Sequence, residues 1–145
     1  MKMIKIGQSV KGGYYRRQIP FANTLSGKLH MNIQRLNPTP RWSDATIFNG
    51  IAHFVEVPNN TDCTMDEQIE QILAQADLTL AAIGSDKTRL LSATIYITDK
   101  ENVPALNQAW ASWLPAGCAP SRACVKVELL DPAMQVEIAF VAAVD

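Results

Sequence analysis

Two charged side chains near the end of the chain could bind and transform a small anion. Arg122 follows Pro120 at the start of a predicted strand, and its guanidinium can hold a carboxylate through two parallel hydrogen bonds. Glu137 lies in the next predicted strand between apolar residues, a setting in which a carboxylate can exchange a proton with water. Each residue also has an ordinary structural interpretation. Arg122 would then be a surface or ion-paired arginine, which the residue pattern alone favours, and Glu137 an outward strand residue paired with Lys126.

The apolar spacing predicts that these side chains lie on a β-hairpin. Alternation along the stretch 119–127 puts Arg122 and Cys124 on one face of the first strand. Alternation along 134–144 makes every second residue apolar and points Glu137 to the opposite side of the second strand. Residues 130–133 (LDPA) have the composition of the tight turn that joins them.

Three further residues are candidates for a site. Cys124 could be a nucleophile beside Arg122, although a packed thiol is the favoured interpretation because no histidine is nearby in sequence. Trp42 could form the wall of a pocket or pack internally, and Asn107 could bond a ligand or face solvent on its helix. His30 and His53 have no partner at metal-ligand spacing, so no metal site is predicted.

Length and composition indicate one globular domain. The chain has 145 residues, of which 48% are hydrophobic and 19% charged. No apolar run approaches the roughly 20 residues that span a bilayer, so no membrane partner is predicted. The three cysteines do not form a paired framework, which favours a reducing, cytoplasmic location.

The net charge of −1 hides a strong asymmetry. Residues 1–30 contain six basic residues and no acidic ones, which leaves seven basic and fourteen acidic residues, a net −7, in residues 31–145. Residues 1–30 show no sustained periodicity and no apolar signal core, so we interpret them as a basic extension: a leader, a tag or an overlong start. The acidic remainder lacks the basic surface that nucleic acid requires.

From residue 31 onward the pattern predicts the element order β-β-β-α-β-α-β-β. Asn49-Gly50 is a strong hairpin signal, and Thr64 with Glu67 fits a capping box at a helix start. This order predicts an α+β fold in which two helices pack on one face of a mixed sheet. The other sheet face must be solvated or covered by a partner, so an oligomer is expected. The predicted strands and helices before the hairpin are 31–36, 45–48, 51–57, 64–84, 89–98 and 103–113.

Several segments, taken together and in order, resemble the Rid family (reactive intermediate deaminases, also called the YjgF family). The resemblance covers residues 31–145, the predicted family domain. Residues 41–44 (RWSD) and 109–113 (AWASW) are similar to the YoaB-like branch in particular. The other matching pieces are 93–99 (ATIYITD), Asn107 with Trp110, 119–125 (APSRACV) and 136–138 (VEI).

The resemblance implies a fold, an assembly and a reaction. The fold would be chorismate-mutase-like (bacillus type), assembled as a homotrimeric barrel with clefts at the subunit interfaces. Arg122 would bind the carboxylate of a 2-imino acid such as 2-iminopropanoate, and Glu137 would position the attacking water with help from the backbone near Cys124. Trp42 and Asn107 would line the same cleft. The products would be a 2-oxo acid and ammonia, and no cofactor would be needed.

The sequence departs from the family pattern at the predicted cleft. Trp42 replaces the usual tyrosine and removes a hydroxyl donor, and Val55 or Glu56 stands where a glycine is common. We therefore expect Glu56 to contact the substrate region and to repel an anion there. Two other functions stay open. One is a non-catalytic trimer that binds small carboxylates, and the other is RNA cleavage, against which the acidic body argues.

Overall fold

A computed structural model describes residues 32–145, which form six strands and two α-helices. The predicted extension over residues 1–30, and its boundary at residue 31, lie outside the described residues. Short 3₁₀ turns precede β4 and α2, at Lys87–Arg89 and Lys100–Asn102. The observed order matches the predicted order. Its elements are β1 (Gln34–Leu36), β2 (Ala45–Phe48), β3 (Ile51–Glu56), α1 (Met65–Ala82), β4 (Leu90–Ile97), α2 (Val103–Trp113), β5 (Ser121–Lys126) and β6 (Val136–Ala143).

The strands form one mixed sheet in the order β1-β2-β3-β6-β4-β5. Strands β4 and β5 are parallel, and the other neighbouring pairs are antiparallel. Parallel neighbours need a long crossover, and α2 with its flanking loops supplies it between β4 and β5. Strand β5 is therefore an edge strand, and all six of its residues are exposed.

The predicted hairpin between β5 and β6 is wrong, because β4 lies between these two strands. Strand β6 enters the sheet on the far side of β4, where its alternating buried residues lie in the centre of the sheet. Glu137 consequently stands opposite Tyr96 of β4, whereas Lys126 stands opposite Ile97. The expected cross-strand pair of Glu137 and Lys126 does not form.

Both helices cover the same face of the sheet, as the sequence predicted. Trp110 of α2 stacks on Phe140 of β6, with 6.2 Å between ring centroids. Phe140 in turn stacks on Phe54 of β3 at 4.9 Å. Burying these faces removes apolar surface from water and supplies the main stabilisation of the domain. The other buried residues of this layer include Ile69, Ile72, Leu73, Ala76 and Leu80 of α1, Ala93, Ile95 and Ile97 of β4, and Val136, Ile138 and Ala142 of β6.

The opposite face of the sheet is partly exposed in the single chain. It carries Val55 of β3, Tyr96 of β4, and Ala139 and Val141 of β6, each partly exposed. The sequence predicted that the sheet face opposite the helices would stay outside the core of one chain, and the partial exposure of these residues agrees with that. Cover by a partner stays a prediction. Among residues 32–145, no helix is long and apolar enough to cross a bilayer.

Glycine and asparagine residues form the turn after β2 and the end of α1, as the sequence predicted. Asn49 and Gly50 both have positive φ, +50° and +74°, which is what a two-residue hairpin turn between β2 and β3 requires. A side chain at Gly50 would also approach the Val144 carbonyl oxygen to 3.1 Å. Gly84, which has φ +74°, follows the C-terminal end of α1 and stops the helix.

Thr64 begins helix α1 with a complete capping box. The Glu67 amide donates to Thr64 Oγ1 at 3.3 Å, and Glu67 Oε2 accepts from the Thr64 amide at 2.7 Å and from its hydroxyl at 2.9 Å. The bond from the Thr64 backbone, followed by that from its side chain, holds the pKa of Glu67 below its ordinary value. The box therefore adds stability above the pKa of Glu67 in the unfolded chain and loses it as pH falls through the lower folded pKa.

We expect Thr64→Ala to lower the free energy of unfolding by about 1 kcal/mol, because the free amides at the helix start lose their acceptor. Thr64→Ser, which keeps the hydroxyl, should unfold near the wild-type denaturant midpoint. Denaturant titration at neutral and acidic pH measures both. The difference between Thr64→Ala and wild type should shrink below the Glu67 pKa. A difference that stays constant from neutral to acidic pH would show that the Glu67 carboxylate takes no part.

Candidate functional site

Arg122 lies at the exposed edge of the sheet and is held there by helix α2. Its Nη2 donates to Asn107 Oδ1 at 2.9 Å, and its Cζ lies 5.7 Å from the centre of the Trp110 ring. Arg122 is in register with Ala93, a buried residue of the helix-covered face, which places the arginine on the helix side of β5. The predicted candidates Arg122 and Asn107 are therefore in direct contact.

Cys124 lies two residues further along β5, on the same side as Arg122. Its strand partner is Ile95, and its thiol is free and exposed. Two residues of extended strand span about 6.6 Å, so the thiol and the guanidinium lie along one edge. Within residues 32–145, no group of three or more histidine, cysteine or acidic side chains is arranged to hold a metal ion.

Glu137 lies on the other side of the sheet from Arg122. It alternates with the buried Val136 and Ile138, and its partner across β4 is Tyr96. Strand β4 separates it from β5, which puts the two strand axes about 10 Å apart. A single chain therefore does not bring Glu137 and Arg122 into contact.

Trp42 lies in the loop between β1 and β2, at the far end of the sheet from Arg122. Thr39 closes this loop, because its hydroxyl donates to the Trp42 carbonyl at 2.9 Å and accepts from the Trp42 amide at 3.0 Å. The guanidinium of Arg41 lies over the Trp42 ring, 5.5 Å from its centre. Four to five strand spacings, about 19–24 Å, separate this loop from β5. A site containing both Trp42 and Arg122 therefore needs two copies of the chain.

Glu56 is buried instead of facing an open cleft. Its residue surface is 2% exposed, and Glu56 Oε1 accepts a hydrogen bond from the Thr79 hydroxyl of α1 at 2.6 Å. Three strand spacings, about 14 Å, separate β3 from β5. Within the described part of one chain, the predicted contact of Glu56 with substrate has no geometric support. The carboxylate is instead hydrogen-bonded to the Thr79 hydroxyl on α1.

We expect Thr79→Val to lower the free energy of unfolding by about 1–3 kcal/mol, because it removes the hydroxyl that the buried Glu56 carboxylate accepts from. Thr79→Ser should retain most of the stability. Thermal or chemical unfolding measures the change.

A second prediction concerns binding at the same carboxylate. Glu56→Gln should leave the affinity for small carboxylates unchanged. A clear gain in that affinity would instead place the Glu56 charge in the binding site, as the sequence predicted.

Trp110, which the family resemblance groups with Asn107, is a second contact of Arg122. It is 6% exposed and so belongs to the core, but its ring also faces the guanidinium. The available signal was the spacing of Asn107 and Trp110, which are three residues apart and thus share one face of α2.

The chain is similar in sequence to known proteins. The sequence model of a family described as Endoribonuclease L-PSP matches residues 32–144. The RutC family protein YoaB of Escherichia coli (strain K12) is 43% identical over 114 residues, which cover 79% of this chain and 100% of that protein. A RutC family protein of Haemophilus influenzae is 40% identical over 114 residues, covering 77% and 98%.

Solved structures share the fold. A member of the YjgF protein family from Neisseria meningitidis superposes with a TM-score of 0.76 at 40% identity, covering 80% of this chain and 98% of that one. A protein from Pseudomonas aeruginosa gives a TM-score of 0.76 at 33% identity, covering 79% and 100%. The six-stranded sheet with two helices is thus the architecture of these proteins as well.

Proposed function

Because this chain belongs to the Endoribonuclease L-PSP family, also called the YjgF or Rid family, we propose that it hydrolyses reactive 2-imino acids and their enamine tautomers. The products are 2-oxo acids and ammonia. The substrate class is small 2-imino acids such as 2-iminopropanoate, and the reaction needs no cofactor because the imine carbon is already electrophilic.

The observation that carries the proposal is the presentation of Arg122. Its guanidinium sits at an exposed sheet edge, where Asn107 takes one N–H and the Trp110 ring lies beside it. A guanidinium has five N–H donors, so several are left for two carboxylate oxygens. Such a fork suits the carboxylate that every 2-imino acid carries.

In the proposed reaction, Arg122 binds the carboxylate and fixes the imine carbon near a water molecule. Glu137 accepts a proton from that water as the water oxygen bonds to the imine carbon and the C=N bond becomes single. Glu137 then passes that proton to the nitrogen, the hydroxyl proton of the adduct follows through the same carboxylate, and the C–N bond breaks so that ammonia leaves as the carbonyl forms. The backbone amide near Cys124 assists in holding the anion. Orientation and proton transfer supply the catalysis.

The site belongs to an assembly of several copies, which we propose is a homotrimer with clefts between subunits. In one chain Arg122 is far from Trp42 and on the opposite side of the sheet from Glu137, which supports a cleft shared between copies. The partly exposed apolar residues on the sheet face opposite the helices, Tyr96 and Val141 among them, favour burial against other copies. All three cysteines are free, which supports a reducing, cytoplasmic setting.

The proposal is tested with imino acids generated in situ from several amino acids. Formation of 2-oxo acid or ammonia is compared with and without the protein. We expect the protein to accelerate product formation from small 2-imino acids and to give no acceleration with an imine that lacks the carboxylate, for which ammonia is measured. If every imine in the series hydrolyses only at its spontaneous rate, the proposed reaction is wrong.

A non-catalytic module that binds small carboxylates is the second candidate. It is favoured by Trp42, which lacks the hydroxyl donor that a tyrosine would bring to the cleft. Binding of 2-oxo acids to Arg122 with no turnover of imines would establish it. RNA cleavage, which the family description names, is disfavoured because residues 32–145 carry seven basic and fourteen acidic residues.

A further inference from the structure

A column of stacked aromatic rings runs through the core and ends beside Arg122. Phe54 and Phe140 stack at 4.9 Å with 15° between their planes. Phe140 and Trp110 stack at 6.2 Å with 11° between theirs. The Trp110 ring is fixed by this packing, since Phe54 and Phe140 are almost fully buried. The side of the column toward β5 carries the Arg122 guanidinium, 5.7 Å from the Trp110 centre.

Two contacts from one helix face restrain the guanidinium. The Trp110 ring attracts its charge, and Asn107 Oδ1 accepts from Nη2 at 2.9 Å. Among residues 32–145, Arg122 has no other hydrogen-bonding partner and no ion pair. The nearby groups that hold it are therefore neutral, so its positive charge is not cancelled before a ligand arrives.

We infer that Trp110 is a positioning residue that holds the Arg122 guanidinium in a carboxylate-binding orientation. This inference rests on the proposed function and extends it. A free arginine side chain samples many rotamers, and binding a carboxylate must freeze them. A guanidinium already held against a core-anchored ring and an amide oxygen loses less freedom on binding. Tryptophan is the aromatic residue that binds cations best, which explains why this ring suits the position.

The matched control is Trp113, which lies on the same helix. Trp113 contacts Trp110 at 5.5 Å and Phe140 at 6.1 Å between ring centres, its indole N–H donates to Asp77, and Lys87 lies over its ring. Because Trp110 also stacks on Phe140, Trp113→Leu should loosen the same aromatic layer and still leave a ring beside Arg122. Trp110→Leu removes the ring, and Trp110→Phe keeps an aromatic face.

The first readout needs no ligand or activity. In the proton NMR spectrum, the ring current of Trp110 should displace the Arg122 Nε–H and Cδ–H resonances from their usual positions in wild type and Trp113→Leu. Trp110→Leu should return them toward those positions, and Trp110→Phe should fall between. Ordinary Arg122 shifts in folded wild-type protein would overturn the inference, even if Trp110→Leu failed to fold.

The second readout is the affinity for pyruvate, a 2-oxo acid, and the kinetics with 2-iminopropanoate. Cation–π contacts of this kind change binding by about threefold to thirtyfold. We expect Trp110→Leu to raise the pyruvate Kd and the KM by that factor, with a smaller change in kcat, and Trp113→Leu to change neither. Equal effects of Trp110→Leu and Trp113→Leu on Kd would assign Trp110 a purely structural role. Wild-type protein that neither binds pyruvate nor accelerates hydrolysis would instead refute the proposed function, and the NMR result would still decide whether Trp110 positions Arg122.

Discussion

Replacing Arg122 with alanine is expected to lower kcat/KM for 2-iminopropanoate by about a hundredfold. A hydrogen bond to a charged group contributes about 1.5–3 kcal/mol, and a loss of about 2.7 kcal/mol corresponds to a factor of a hundred. Arg122→Lys should recover part of the loss, because lysine restores the charge but not the two parallel hydrogen bonds. Initial rates of 2-oxo acid formation measure both variants.

A matched control separates this effect from a change in net charge. Lys100 is exposed at the 3₁₀ turn before α2, and its nearest ion pair, with Glu101, has a long 3.9 Å separation. Lys100→Ala removes the same single charge and should keep wild-type kinetics. Light scattering should show that Arg122→Ala still assembles. Arg122→Ala protein that assembles and retains full activity would remove the carboxylate anchor from the mechanism.

Replacing Glu137 with glutamine is expected to lower kcat by about 10²–10⁴-fold, the usual contribution of a general acid–base group. Glutamine keeps the size of the side chain but cannot accept the proton of the attacking water. The affinity for pyruvate should change little, since Arg122 supplies the carboxylate contact. Single-turnover rates with 2-iminopropanoate, together with pyruvate titration, separate these two effects.

Glu128 provides the control for this substitution, because it is an exposed carboxylate in the connection after β5. Glu128→Gln should leave kcat and its pH profile unchanged. Glu137→Gln should flatten the limb of the profile that reports the base. If Glu137→Gln weakens pyruvate binding and leaves kcat intact, Glu137 contacts the carboxylate region and the water must be activated by another group.

Local rules were sufficient to predict the elements of this fold. The turn at Asn49 and Gly50 and the capping box of Thr64 and Glu67 each depend on residues a few positions apart, and the structure has both. The element order followed from the same short-range periodicities. These features come from backbone sterics and helix-end hydrogen bonds, which a sequence states directly.

Strand pairing was harder to predict because it depends on distant residues. Two strands joined by a turn-like segment suggested a hairpin, but the α2 crossover sets β5 parallel to β4 and leaves β6 between β3 and β4. Composition did contain a signal for this arrangement. The polar β5 sequence SRACVK suits an exposed edge, whereas the VEIAFVAA sequence of β6 suits the sheet centre.

The candidate site could be predicted in part. Arg122 and Asn107 are in contact, and both were expected to bind substrate. The burial of Glu56 against Thr79 could not be read from sequence, because the facing position on α1 depends on how the helix lies on the sheet. The separation of Trp42 from Arg122 likewise required the strand order. Their roles in the reaction remain predictions.

The most direct test of imine hydrolysis at a shared cleft is the rate of 2-oxo acid formation from 2-iminopropanoate as protein concentration spans assembly. The account predicts a rate above spontaneous hydrolysis, with activity per chain rising as the oligomer forms, because the proposed cleft takes Trp42 and Arg122 from different copies. A fully assembled protein that adds nothing to the spontaneous rate would contradict the account. Dissociated chains as active as the oligomer would contradict the shared cleft.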